Sequence, residues 1–538
     1  MILFVFIPDL FVKLNSKIFC SGFCWETPEN IPNSLHTSFS SAFSKLDEAN
    51  IFQYDTVQPG RKRLSRTFVT RTLVGNPGST YRYLGLRLFS HPWCDVDEIG
   101  NSIRRSKNAK SMNIGSSLVS LGYEKSTANA LILIGNINSV LIERSNKLLK
   151  EKIAESVPEK LVGSAEFSLT LINKMEPSSL KKDLKRENIY GMGKASVSWH
   201  MDSGLQDFST IAVYHELLNL QTTPARDTNT KEPWRVALRI SGEENKRKSP
   251  PLSVPLPSGT LYYMLDDFNH KHEHAVLAGT NKLRYSSTHR VAREGNGTWQ
   301  YIRDKCRVML DNVVSISSLS NGKNKKSDST IVTVAMRKAQ TKQVRKQQQL
   351  FQEIEFEWIR QWLVQGTLHA NLHPYWHAPI EMLKKYYVKL EGLTVDVLRV
   401  LQASAESKES TNEYVCEELF DVLIEAFSEK SKLRKEWKMR VNDPIFNKMD
   451  SLMQPIKCNI LDRPVMTDPD KQLNSNLSQT IDDLRLWRAK FVNLKEKREC
   501  INKSGKHRKR KLSSKPSNLT RKEQRKVASN WQKMKLTL

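Results

Sequence analysis

The sequence predicts an α+β chain, an antiparallel β sandwich or jelly roll followed by an all-α helical bundle. Three observations predict it. Between residues 65 and 295, short runs of β-branched and aromatic residues alternate with turn signals, as in an antiparallel β domain. Beyond residue 300, apolar residues recur at helical spacing instead. A hydrophobic fraction of 39% and a charged fraction of 26% over 538 residues allow real cores and more than one domain.

Residues 1–31 carry no assignable element. Met1-Ile2-Leu3-Phe4-Val5-Phe6-Ile7 is apolar, but no basic residue precedes it and Pro8 and Asp9 interrupt it, unlike a signal peptide. The β-rich domain is set at 32–295. Its strand-like runs are Arg71–Val74, closed by Asn76-Pro77-Gly78, then Ala195–Trp199, Thr210–Tyr214, Trp234–Ile240 and Thr260–Leu265. The helical domain is set at 296–500. Leu350, Ile354, Trp358 and Trp362 share one helix face, as do Ile380, Leu383, Tyr387 and Leu390. Leu419, Leu423 and Phe427, then Ile481, Leu484 and Trp487, continue the pattern, and all of these stripes are core positions of a bundle. Ser315–Thr330 is polar and predicts a flexible loop, bounded generously as 315–345.

Residues 501–538 hold 13 Lys and Arg against the single acidic Glu523, including the run Lys506–Lys511. They predict a disordered basic tail, with nuclear import and non-specific nucleic-acid contact as its functions. The formal charge of +27 points to a polyanionic partner, nucleic acid ahead of an acidic membrane. No stretch approaches the ~18 apolar residues of a membrane span. The seven cysteines are odd in number and, apart from Cys20 and Cys24, scattered. They fit reduced thiols in a cytosolic or nuclear protein.

The chemistry lies in the β-rich part. His200-Met201-Asp202 follows the apolar run Val197-Ser198-Trp199, and residues two apart at a strand end point to one side. His274 lies 72 residues beyond Asp202, and Arg284 and Arg290 follow. Two imidazoles and a carboxylate on one face of an octahedral iron leave three positions open, two for a 2-oxo acid and one for O2. An arginine then pairs the far carboxylate of that acid. Spacing alone does not choose among His270, His272 and His274, which alternation puts on one side of an extended segment. A separate zinc site there, and a ligand role for His289, stay open.

Longer motifs carry a resemblance. Ser198-Trp199-His200-Met201-Asp202, Tyr263-Met264-Leu265-Asp266-Asp267-Phe268-Asn269 and His274-Ala275-Val276-Leu277-Ala278-Gly279 resemble the FTO family of AlkB-related iron(II)/2-oxoglutarate-dependent RNA demethylases. Arg284-Tyr285-Ser286-Ser287-Thr288-His289-Arg290-Val291, Gly75–Leu84, Arg87-Leu88-Phe89 and Phe356–Gln361 are similar to it too. The similarity covers roughly 35–93 and 167–500. It implies a double-stranded β-helix (jelly-roll) catalytic domain followed by the helical domain. Fe(2+), 2-oxoglutarate and O2 are the implied cofactors, with removal of N-methyl groups from RNA bases, chiefly N6-methyladenosine and also N3-methylated pyrimidines. His200, Asp202 and His274 match the iron ligands. Asn173, Tyr262, Arg284, Ser286 and Thr288 match the 2-oxoglutarate contacts, and Arg290 faces cosubstrate and base. Arg71, Tyr83 and Leu84, with His200, Met201, Asp202 and Ser203, match the surroundings of the methylated base. Ser178–Tyr190 occupies the place of a loop that hinders double strands.

The implied partner is single-stranded RNA, with single-stranded DNA second, and the implied location is the nucleus, then the cytoplasm. A base inside a duplex cannot reach a buried iron, so it must be unpaired or flipped out. Stacking on Tyr83 is worth ~1–3 kcal/mol for any base, which leaves selectivity to Arg71; without the resemblance, plain strand packing is the better reading of Tyr81 and Tyr83. Three departures stand out. Ser203 replaces a glutamate that contacts the adenine edge in the family, residues 94–166 do not align convincingly, and Met1–Asn30 has no counterpart in the resemblance. Two further function classes compete: a related dioxygenase with a non-nucleic-acid substrate, and a catalytically inactive RNA-binding protein.

Overall fold

The computed structural model describes residues 22–57, 65–97, 115–153, 163–219 (except 182 and 188–191), 232–242, 251–320 (except 294 and 296), 329–365, 373–406, 415–441 and 477–513. In chain order the strands are β1 Phe23–Glu26, β2 Thr56–Val57, β3 Ser65–Arg66, β4 Thr70–Gly75, β5 Thr80–Tyr83, β6 Leu86–Phe89, β7 His91–Pro92, β8 Leu169–Met175, β9 Lys185–Glu187, β10 Gly193–His200, β11 Ile211–Asn219, β12 Arg235–Ile240, β13 Leu252–Pro255, β14 Leu261–Met264, β15 His272–Leu277 and β16 Lys282–Arg290. A seven-stranded sheet runs β1-β14-β11-β16-β8-β4-β7 and a five-stranded sheet runs β13-β12-β15-β10-β9. From β10 onward the chain crosses repeatedly between the sheets, which makes a jelly roll. Between them Leu73, Leu171, Ile211, Val213, Val236, Leu238, Tyr262 and Val276 form the core.

Helices cover the outer face of the large sheet. α1, Asn33–Glu48, buries Leu35, Phe39, Ala42, Phe43 and Leu46 along one stripe. Phe39 stacks on Tyr214 with ring centroids 3.8 Å apart, and Phe43 stacks on Tyr285 at 5.5 Å. Burial of such a phenylalanine stabilises by about 1.5–3 kcal/mol. After the short α2, Ser116–Ser120, comes α3, Lys125–Ile153, a long helix within the segment that resembled nothing. Asn138 on α3 donates to the Phe167 carbonyl (3.0 Å) and accepts from His289 (2.8 Å), joining helix to sheet. The N-terminal segment is likewise structural: β1 pairs with β14, Trp25 opposite Tyr262. Residues 1–21 lie outside the described part.

The hairpin β5–β6 stands apart from both sheets. Its two-residue turn, Leu84-Gly85, has φ of 44° and 82°, as a type I′ turn requires. Leucine is strained there, and the turn leaves its side chain exposed. The short turn α4, Phe268–Lys271, follows Asp266, whose φ is 51°. α5 spans Trp299–Ser320 and α6 spans Ser329–Gln352, so helix reaches into both ends of the segment expected as a loop; residues 321–328 are outside the described part.

A π-helix, Glu353–Ile359, extends α6, and α7, Arg360–Gln365, follows it. Next come α8, His377–Glu406, α9, Glu417–Val441, and α10, Leu477–Ser513. α10 carries the backbone of Lys506–Lys511, which was expected in a disordered tail; residues 514–538 are not described. Leu350, Ile354, Trp358, Trp362, Ile380, Leu383, Tyr387 and Leu390 are all buried.

The chain forms two compact units that interleave in sequence. One comprises 1–322, 349–390 and 433–465; the other comprises 323–348, 391–432 and 466–538. In the second, Leu398, Leu401, Leu419, Leu423, Phe427, Ile481, Leu484 and Trp487 build a helical core of their own.

Candidate active site

β10 and β15 meet so that His200 pairs with His274, and the imidazole centroids lie 4.1 Å apart. Asp202 follows just beyond the end of β10. One donor atom from each of His200, Asp202 and His274 lies within 4.8 Å of the others. His200 Nδ1 donates to the Ser198 carbonyl at 2.8 Å, which leaves Nε2 as a lone-pair donor. Burial pushes His274 down to about 3, with His200 and Arg290 adding to the effect, so its ring is neutral. Burial opposes the charge of Asp202, but Arg290 and the two imidazoles outweigh it and hold the carboxyl well below the usual range. Arg290 donates to Asp202 Oδ1 at 2.8 Å. Asp202 Oδ2 and His274 Nδ1 are buried without a hydrogen bond among the described residues. This donor set fits a divalent iron.

The other histidines fall away. Phe268–Lys271 is helical rather than extended, so His270 leaves the line of alternation and faces Asp207 at 3.8 Å. His272 stacks on Phe268, with centroids 4.1 Å apart. His289 packs in the outer layer.

β16 presents two faces. Arg284, Ser286, Thr288 and Arg290 alternate toward the inside, whereas Tyr285 and His289 meet the helices outside. The Arg284 guanidinium is fully buried and contacts Met175 Sδ (3.1 Å), Ser286 Oγ (3.2 Å) and the Tyr262 hydroxyl. No carboxylate pairs with it among the described residues, and its Nε lacks a partner. A buried cation without an anion is costly, and a dicarboxylate would relieve it. Across four strands, His215, Ser286, Asn173 and Arg71 stand in register, a polar row from this pocket outward.

At the outer end of that row, Arg71 pairs with Asp55 and lies 3.9 Å from the Tyr83 ring centroid. Tyr81 is buried and donates to the Ser203 carbonyl at 2.8 Å, beside Asp202. Plain strand packing therefore does not describe Tyr81. Leu84, Met201 and Ser203 are exposed. The sequence reading missed Asp55, His215 and Asn269. Only Asn269 lay in a motif that could have drawn notice; Asp55 and His215 are lone residues with no local signal.

Profiles of two domains match: the FTO catalytic domain over residues 10–293 and the FTO C-terminal domain over 297–486. The chain belongs to the FTO family. The first match reaches well into the N-terminal segment that lacked any assignment. An FTO relative, the Xenopus laevis alpha-ketoglutarate-dependent dioxygenase FTO, is 31% identical over 423 residues, 77% of this chain and 79% of its own. Among solved structures, OsALKBH1 matches at 12% identity and TM-score 0.28, covering 50% of this chain and 96% of its own. A 2OG-Fe(II) oxygenase-family protein from Burkholderia pseudomallei matches at 12% and 0.23, covering 54% and 92%. As an FTO-like 2-oxoglutarate-dependent dioxygenase, the protein uses iron(II), 2-oxoglutarate and O2.

Proposed function

We propose that this dioxygenase removes methyl groups from N-methylated bases in single-stranded RNA, chiefly N6-methyladenosine, with N3-methylated pyrimidines as further substrates. One observation carries the substrate reading: the Tyr81–Ser203 hydrogen bond ties the hairpin that bears Tyr83 to the residue beside Asp202. A planar base entering there meets Tyr83 and the Arg71 guanidinium within reach of the metal ligands. The surplus of +27 suits a nucleic-acid backbone.

His200, Asp202 and His274 would hold the iron. Arg284, Ser286, Tyr262, Asn173 and Thr288 would bind 2-oxoglutarate, with Arg284 taking the distal carboxylate. When bound, iron(II), 2-oxoglutarate and O2 supply oxidation of an N-methyl C–H bond, yielding formaldehyde, succinate and CO2. Arg290 keeps Asp202 ionised and oriented. Tyr83 and Leu84 support the base, and Arg71, fixed by Asp55, offers it hydrogen bonds. With Ser203 exposed where the family resemblance implies a glutamate, adenine is held less selectively. The run Lys506–Lys511 serves nuclear entry, so the nucleus is the proposed site of action, with the cytoplasm second.

The test is mass spectrometry of methylated single-stranded oligonucleotides treated with the protein, iron(II), ascorbate and 2-oxoglutarate. Formaldehyde release is expected from the wild type and should vanish in His200→Ala, Asp202→Ala and His274→Ala, while His272→Ala keeps substantial activity. Activity lost in His272→Ala but kept in His274→Ala would overturn the ligand set. In a competition of methyladenine with methyluracil, Ser203→Glu should favour methyladenine by about 10-fold, the low end for a charge-assisted bond at an exposed position. Turnover of 2-oxoglutarate with no RNA demethylated would point to a different substrate.

A further inference from the structure

We propose that Asn269 is a positioning residue of the metal centre, holding Asp202 by its main chain; this rests on the metal role given above to Asp202. The β10–β15 ladder ends at the pair His200–His274, so Asp202 has no strand partner although it is buried. Buried backbone groups need hydrogen bonds. Asn269 supplies both: its Oδ1 accepts from Asp202 N–H at 2.9 Å, and its Nδ2 donates to the Asp202 carbonyl at 2.8 Å. One carboxamide thus replaces a neighbouring strand for a single residue.

Few side chains could do this. The opposing N–H and C=O demand an acceptor atom and a donor atom side by side; an ionised carboxylate lacks the donor, and a hydroxyl has only one oxygen to serve both. The carboxamide itself is fixed. Asn269 is buried in the turn Phe268–Lys271, and Phe268 beside it packs on Phe23 (5.6 Å) and His272 (4.1 Å). Arg290 grips the carboxylate of Asp202 while Asn269 grips its backbone. Two independent holds leave Asp202 Oδ2 without a hydrogen bond, the state a metal ligand needs. The same turn braces the loop after Asp202, since His270 Nε2 accepts from Phe208 N–H at 3.4 Å.

Because partners that orient ligands contribute roughly 10–100-fold to metal affinity, Asn269→Ala and Asn269→Ser should weaken Mn(II) binding by that factor. Mn(II) alone is the probe, titrated into the full-length, metal-free protein and followed by electron paramagnetic resonance. Asn138→Ala is the control: Asn138 is also a buried asparagine with two hydrogen bonds, but it lies in the outer layer. A merely structural role predicts that both asparagine losses lower the thermal midpoint and leave Mn(II) affinity alike. The positioning role predicts weaker Mn(II) binding only at Asn269, at temperatures where both proteins are folded by circular dichroism. Should Asn269→Ala fail to fold, Asn269→Ser retains a hydroxyl for one of the two bonds and gives the same reading. Affinity equal to wild type in a folded Asn269 variant overturns the inference. If the wild type binds no Mn(II), or His274→Ala binds it equally well, the metal-centre reading itself fails instead.

Discussion

His289 is a neighbour of Arg290 in sequence yet serves the opposite layer. Its Nδ1 pairs with Asn138 Oδ1, which must accept because the amide nitrogen already donates to Phe167; Nε2 pairs with Ser287 Oγ at 3.1 Å. Both bonds suit the neutral ring, and burial pushes its pKa down from 6.5 to about 3. Between those values the unfolded chain binds a proton that the folded chain refuses. Stability from this residue is therefore full above 6.5 and is lost as pH falls toward 3, by up to about 1.4 kcal/mol per pH unit. In urea titrations from about pH 7 to about pH 4, His289→Gln should flatten the acid limb by one proton's slope; an unchanged limb would mean that the ring is not held neutral. The sequence left His289 open as a ligand because alternation says which residues share a face, not which face looks inward. His270 shows the complementary gap: four helical residues, Phe268–Lys271, were enough to remove it from the strand that His272 and His274 belong to.

The hairpin β5–β6 shows what one element owes another. Arg87 is 1% exposed, lies 4.2 Å from the Trp358 ring, and donates to the Glu357 carbonyl (2.6 Å) and Thr80 Oγ1 (2.7 Å). Phe89 meets Trp362 and Trp376 edge-on, at 5.1 and 4.9 Å. The π-helix and its neighbours thus hold the hairpin that carries Tyr83. Removing Arg87 strands buried groups at about 1–3 kcal/mol each, so Arg87→Ala should cut oligonucleotide demethylation roughly 5- to 150-fold. Its 2-oxoglutarate binding should stay near wild type, and succinate formed per formaldehyde should rise; a ratio that stays constant would free the hairpin of this dependence. Much at this scale was legible. Strands β4, β10, β11, β12 and β14 follow the alternating runs, and the helical stripes are buried as expected. α3 was not, because its buried stripe is broken by Asn138 and Ser145, polar residues where periodicity wants apolar ones. β1 was hidden by brevity, four residues whose partner lies more than 200 positions away.

For the whole molecule, charge is the property to test. The tail beyond residue 500 contributes +12 of the +27, and its first part continues α10 to Ser513. Every phosphate of a single strand that the protein ceases to neutralise should flatten the slope of log affinity against log salt by ~0.7. Deleting 501–538 should lower RNA affinity and that slope, abolish nuclear accumulation of a tagged chain, and spare turnover of a single methylated nucleoside. A deletion that still accumulates in the nucleus with an unaltered slope would reduce the tail to a solvated appendage. The clamp on the hairpin sets a different constraint, one of time. Arg87 leaves the ribosome 270 residues ahead of Glu357. At ~5–20 residues per second, the hairpin waits about 14–54 s for the helix that completes it. Throughout that interval Phe89 lacks the Trp362 and Trp376 rings and the Arg87 guanidinium lacks the Trp358 ring. The nascent chain thus carries a half-built mouth for about half of its synthesis, 270 of 538 residues.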